Sequence, residues 1–201
     1  MKKFLILISS ILALTASAAM AKTEGSSVGV ALLRSDVAHQ NSWAGSVHYK
    51  DTARDGFSLN YKNAIPLANG FYLAPGVSYD RIGTKTDTTS SLAADKVTVN
   101  NRFSARADIG YDVNDHLAVY GLAGYSALGY EVFNHSGVYS QKKNSYNYTP
   151  LLGAGFKTAI CKNMDLTLEY TRQHANLNTS DPYQKVKTQL ETYALGLAYN
   201  F

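Results

Sequence analysis

Hydrolytic chemistry carried on a strand needs a nucleophile and a base on one face, and residues two apart share a face. The nearest approach in this sequence is His174-Ala175-Asn176, where an amide stands in the nucleophile's place. His135 and Ser136 are adjacent, so on a strand they point to opposite sides. His39, His48, His116, His135 and His174 stand singly, without the spacing of a metal site. The single Cys161 has no partner for an internal disulfide and falls in a short turn. Gly153 and Gly155 lie within a strand pattern, where glycine makes room for neighbouring side chains rather than cradling phosphate. The expectation is therefore no enzyme, no cofactor and no metal. The chemistry-bearing residues that remain are charges: Lys62, Asp80, Arg106, Asp108, Lys157 and Glu169.

Those charges sit within segments of period two. Phe57, Leu59 and Tyr61 alternate with Ser58, Asn60 and Lys62; Phe71, Leu73, Val77 and Tyr79 alternate with Tyr72, Ala74, Gly76, Ser78 and Asp80. Phe103 to Tyr111 alternates with Arg102, Ser104, Arg106, Asp108 and Gly110; Tyr148 to Phe156 alternates with Asn147, Thr149, Gly153, Gly155 and Lys157. Leu166, Leu168 and Tyr170 alternate with Thr167, Glu169 and Thr171, and Tyr193 to Phe201 alternates with Thr192, Ala194, Gly196, Ala198 and Asn200. Each reads as a strand with one greasy face and one small, polar face. Leu117 to Tyr130 is strand-like too, but so rich in Gly, Ala and Tyr that its faces are not assigned.

Short connections hold turn residues: Pro66 to Gly70, Asp112 to His116, and Cys161 to Asp165. Long polar connections are expected at Gly83 to Lys96, Asn134 to Ser145, and His174 to Lys187. From Phe57 onward there are seven strands, and an even total needs one more from upstream. Val28 to Leu33 competes for that place with Trp43 to Lys50. The fold class expected is all-β: an up-and-down antiparallel transmembrane β-barrel of eight strands.

Residues 1–21 read as a cleaved signal peptide and 22–201 as one barrel domain. Lys2 and Lys3 precede the apolar run Phe4 to Leu14, and small residues follow as far as Ala19-Met20-Ala21. That run is too short to span a bilayer, which takes about 20 residues. The formal net charge is +4, two of which belong to Lys2 and Lys3, so the rest is too weakly basic for a nucleic-acid partner. After the signal no long apolar stretch follows, which leaves strands as the only means of crossing a membrane.

Alternation by itself also fits a soluble barrel with its apolar face turned inward. The aromatic ends of the apolar rows favour the membrane. Phe71 and Tyr79, Phe103 and Tyr111, and Tyr193 and Phe201 bracket them, as interfacial girdles do. The six charges then face the lumen, where they must be paired. Arg106 and Asp108 are neighbours on one strand, and Lys157 with Glu169 is the expected cross-strand pair. A satisfied polar plug is the main reading and a narrow or gated ion path the alternative. Eight strands leave an interior just wide enough for side chains.

The stretch Ala105-Arg106-Ala107-Asp108-Ile109-Gly110-Tyr111-Asp112-Val113-Asn114-Asp115 and the following Leu117 to Tyr125 resemble the central hairpin of the outer-membrane β-barrel domain family, the small OmpX-like and opacity-type surface proteins. Leu195-Gly196-Leu197-Ala198-Tyr199-Asn200-Phe201 is similar to that family's closing strand, and Gly153-Ala154-Gly155-Phe156 and Leu168-Glu169-Tyr170 also fit. The resemblance implies a bacterial outer-membrane location, outer-membrane lipids around the barrel, and Tyr199 and Phe201 as a signal to the barrel-assembly machinery. Lipid A deacylase and palmitoyl-transferase barrels exist among eight-stranded proteins, but neither's residues are marked here. The likeness specifies a fold rather than an activity. The expected loops carry Tyr139, Lys142, Lys143, Tyr146 and Tyr183, and tyrosine buries large area at low entropic cost. They point to adhesion or contact with a host or environmental protein, or else to a structural role in the envelope or a generic surface-antigen role.

Overall fold

The computed structural model describes residues 24–41, 47–50, 54–86, 94–136, 139–178 and 185–201. They form one antiparallel sheet closed on itself. Its segments are β1 (Gly25–Asn41), β2 (Val47–Lys50), β3 (Arg54–Pro66), β4 (Phe71–Thr86), β5 (Ala94–Asn114), β6 (Leu117–Ser136), β7 (Tyr139–Cys161), β8 (Met164–Asn178) and β9 (Lys185–Asn200). Each pairs with the next in sequence, and β9 closes on β1. The register starting at Val37 passes through Leu190, Gln173, Leu151, Gly124, Arg106, Gly76 and Lys62, and returns to β1 at Ser27. That displacement along β1 is the shear of a tilted barrel.

The competition for the first strand resolves in favour of the earlier segment; residues 43–46 of the later one lie outside the described residues. Val28 to Leu33 lies in β1, while Val47–Lys50 pairs back onto the far end of β1, opposite Ala38–Asn41. β3 pairs with the near part of β1, from Ser35 to Gly25. β2 and β3 are thus two pieces of one barrel strand, and the closed barrel has eight.

The short turns stand at one end. Asn69 (φ 60°) and Gly70 (φ 79°) turn the chain after β3, in a region that Asn and Gly tolerate best. The Asn114 carboxamide accepts from the amides of His116 (2.8 Å) and Leu117 (2.9 Å), an Asx turn. The third occupies 162–163.

At the opposite, hairpin end the strands run on where polar loops were expected. β6 continues to Ser136, which faces Tyr139 of β7, and β8 to Asn178, which faces Lys185. β4 reaches Thr86 and β5 begins at Ala94. β5, β6 and β7 are 21, 20 and 23 residues long, about twice the 9–11 residues that cross a bilayer.

Two ladders stop before the strands do. β7 pairs with β8 only as far as Leu151 and Gln173, and β3 with β4 only as far as Phe57 and Arg81. Beyond those seams the described residues of the hairpin end fall into two sheets, β4-β5-β6-β7 and β2-β1-β9-β8. They pack on a core of their own. Val37, Ala175, Leu177 and Leu190 from one sheet cluster with Ile82, Val99, Leu128 and Tyr130 from the other, all buried. The barrel gives way to a small sandwich.

Candidate functional site

The polarity of the two faces reverses along the strands. Through the barrel, Leu166, Leu168 and Tyr170 of β8 point outward while Asp165, Thr167, Glu169 and Thr171 point into the lumen. Past Thr171 the outward residues are Arg172, His174 and Asn176, and the inward ones include Ala175 and Leu177. β9 does the same, with Tyr193 and Leu197 exposed in the barrel and Leu190 buried beyond it. β1 carries exposed Val28, Val30 and Leu32, then exposed Arg34 and buried Val37.

Aromatic rings bound the outward apolar band. Phe71 meets Tyr111 with ring centres 5.0 Å apart at the turn end. Tyr79 meets Phe103 at 4.7 Å and Tyr170 meets Tyr193 at 5.1 Å at the seam level. Tyr199 and Phe201 are exposed at the turn end. A soluble barrel with an apolar lumen is excluded by this arrangement.

The lumen holds a network of eight charges. Arg106 donates from both terminal guanidinium nitrogens to the two Glu169 oxygens, each at 2.6 Å, a bidentate pair across the lumen. Lys62 donates to Asp108 at 2.6 Å and lies 3.8 Å from Glu169. Arg106 also sits 3.4 Å from Asp108, and the Tyr120 hydroxyl donates to Glu169 at 3.2 Å. Nearer the hairpin end Arg102 bridges β5 to β8, bonding Asp80 at 2.7 Å with its head toward Thr171 and Gln173. Nearer the turns Lys157 lies 3.8 Å from Asp165 and over the Tyr72 ring. Among the described residues, Lys62, Arg102, Arg106 and Lys157 are paired with Asp80, Asp108, Asp165 and Glu169. Such pairing lets charge survive in a low-dielectric lumen.

The structure thus brings together Lys62, Arg106, Asp108 and Glu169, and sets Asp80 one layer away with Arg102. The expected Lys157–Glu169 pair is not made. On the ladder Lys157 faces Thr167 and Glu169 faces Gly155, so the two differ in level, and Arg106 reaches Glu169 from across the barrel. Arg102 and Tyr72 were on the lumen parity and were legible there. Tyr120 lay in the segment of unassigned faces, and Asp165 in an expected turn.

Two glycines seat the lumen tyrosines. A Cβ on Gly110 would come within 2.2 Å of the Tyr72 ring, and one on Gly155 within 2.6 Å of Tyr120. Bare backbone there makes room for each ring against the neighbouring strand, where the Tyr120 hydroxyl reaches Glu169 and the Tyr72 ring lies under Lys157.

A cavity of about 70 Å³ runs among these groups, bordered by Glu24 and Asn200 at one end and by Arg102 and Thr171 at the other. Its lining contains Ser58 and Ser78 but no histidine, and its acids and bases are committed to one another. The arrangement fixes the barrel electrostatically, and among the described residues that line it no nucleophile stands beside a histidine. Among the described residues no cluster of His, Cys, Asp or Glu has metal-holding geometry.

Of the expected contact residues, Tyr146 is exposed on the outer face of β7. Tyr139, Lys142 and Lys143 lie on the hairpin-end half of β7, with side chains outside the described set. Tyr183 lies outside the described residues, as does the expected signal peptide of residues 1–21.

The family model for the outer membrane protein beta-barrel domain matches residues 6–201. No curated protein matches the sequence. Among solved structures, Ail, the attachment invasion locus protein of Yersinia pestis, is similar over 89% of this chain and 100% of its own, at 19% identity and a TM-score of 0.56. The same protein in complex with the heparin analogue sucrose octasulfate matches at 17% identity and 0.53, over 88% of this chain and 99% of its own. The outer membrane protease OmpT of Escherichia coli matches at 9% identity and 0.51, over 93% of this chain and 100% of its own. At these identities the likeness is one of fold.

Proposed function

Because the chain belongs to the outer membrane protein β-barrel domain family, we propose that it is a non-enzymatic surface protein whose barrel holds out a preformed two-sheet platform for contact with a host or environmental protein. The observation that carries this is the reversal of polarity at the seams. Lipid favours apolar residues outside and polar residues inside, and water favours the opposite. The segment beyond Tyr170 and Tyr193 is built for water, and it faces outward from the cell, since short turns are periplasmic in such barrels. Outer-membrane lipids surround the band below it.

The platform's most available element is β7. From Tyr139 to Pro150 it bonds β6 on one side, while its ladder to β8 stops at Leu151. Pro150 has no amide to donate. Across the lower part of the gap, the Asn147 side-chain amide donates to the Asn176 carbonyl at 2.8 Å and the Thr149 hydroxyl donates to the His174 carbonyl. Above them the β7 edge is unpaired among the described residues, and exposed strand edges bind extended segments of other proteins. Ail has a structure in complex with a heparin analogue, which supports ligand contact by a barrel of this kind. On this reading residues 1–21 are the export signal, cleaved after Ala21, and Tyr199 and Phe201 are read by the assembly machinery.

Grafting the hairpin-end segments, residues 35–53, 82–100, 129–149 and 172–189, onto an inert eight-stranded barrel tests the reading. Cells displaying the graft are expected to bind immobilised serum or matrix proteins, or an epithelial monolayer, as cells displaying the whole chain do. Binding by the whole chain that does not follow the graft would refute it.

A further inference from the structure

We infer that the barrel is closed to ions, and that the barrier is the apolar core of the outer sheets rather than the ionic network beneath it. The two regions differ in how they would treat a passing ion. The network surrounds a water-sized space whose walls are charged and hydroxylated. About 70 Å³ there holds roughly five waters at about 15 Å³ each. An ion entering from the periplasmic end therefore finds water and compensating charge as far as Arg102.

Beyond Arg102 and Asp80 it finds neither. Ile82, Val99, Leu128 and Leu177 are buried to within 1%, and none of them borders the cavity. They come from both sheets and cluster with Val37, Tyr130, Ala175 and Leu190, and among the described residues no charged side chain belongs to this cluster. Stripping an ion of water there costs at least several kcal/mol, and apolar constrictions block conduction by drying. The lumen is a vestibule open to the periplasm alone. This inference does not depend on what the outer sheets bind.

Planar-bilayer recording of the refolded full chain in potassium chloride decides it. The unmodified protein is expected to show no discrete steps. Leu128→Asn with Leu177→Asn, which wets the core, is expected to conduct and to raise ion flux into vesicles at least about tenfold, the change that a barrier lowered by about 1.4 kcal/mol gives. Arg106→Gln with Glu169→Gln is expected to stay silent. Folding of each variant is read from heat-modifiable migration on an unboiled gel, and Leu128→Ser serves if the double core variant does not fold. Steps from the unmodified protein, steps from the network variant, or silence from a folded core variant would each overturn the inference.

Discussion

Glu169→Ala is expected to lower the stability of the barrel in vesicles by about 3–5 kcal/mol, measured as the urea concentration at which the fast-migrating folded band is lost. Glu169 takes both hydrogen bonds of the Arg106 fork and one from Tyr120, and it stands 3.8 Å from Lys62. Its removal leaves a buried guanidinium with Asp108 alone to balance it and Lys62. Replacing both partners with apolar groups of similar volume, Arg106→Met with Glu169→Leu, is expected to recover most of the loss, because no charge is then left uncompensated. Arg172→Gln provides the contrast. Its partner Glu191 is 3.9 Å away, and the Arg172 side chain is exposed and that of Glu191 partly so, so the expected change is below about 1 kcal/mol. Equal effects at the two pairs would mean that the lumen is far wetter than its geometry implies.

Leu128→Ala and Leu177→Ala are each expected to cost about 2–5 kcal/mol at the hairpin end. Both side chains are fully buried in the core between the outer sheets. The sheets have no continuous ladder there to hold them together, since β7–β8 pairing has ended at Leu151 and β3–β4 pairing at Phe57. The core supplies what the missing ladder does not. The loss should appear as faster amide hydrogen exchange on β8 from His174 to Asn178, by at least about thirtyfold for a change of about 2 kcal/mol, with the barrel below unaffected. Leu152→Ala is the control. It lies beside Leu151 in the same strand but faces outward and is exposed, so it should leave that exchange unchanged.

The barrel was legible in the sequence because lipid imposes one rule on every strand it touches. Phe57, Leu59 and Tyr61, or Leu166, Leu168 and Tyr170, announce the outward face by period alone, and the charges between them fall on the inner face. Which charge meets which was not legible. Pairing across a lumen depends on shear and on side-chain reach, so Arg106 of β5 takes Glu169 of β8 and leaves Lys157 to Asp165. The outer sheets look like loops in the sequence for a physical reason. His174 to Asn178 alternates polar outward with apolar inward, the reverse of the rows below. A change of solvent along one strand looks like the end of that strand when the pattern sought is that of the membrane. β6 was ambiguous because Tyr occurs on both faces: Tyr120 and Tyr130 are buried inside, and Tyr125 is exposed outside. The first strand is obscured by Leu32-Leu33, one facing each way.

The reversal of polarity along single strands is the claim on which the rest depends, and a nitroxide scan of β8 in vesicles tests it directly. With Cys161→Ser as background, labels replacing Leu166, Leu168 and Tyr170 should collide with dissolved oxygen and be shielded from a water-soluble nickel chelate. Labels replacing Arg172, His174 and Asn176 should do the opposite, and those replacing Ala175 and Leu177 should meet neither. Oxygen-rich collisions continuing through Asn176, or chelate access at Leu177, would contradict a barrel that becomes a sandwich where it leaves the membrane.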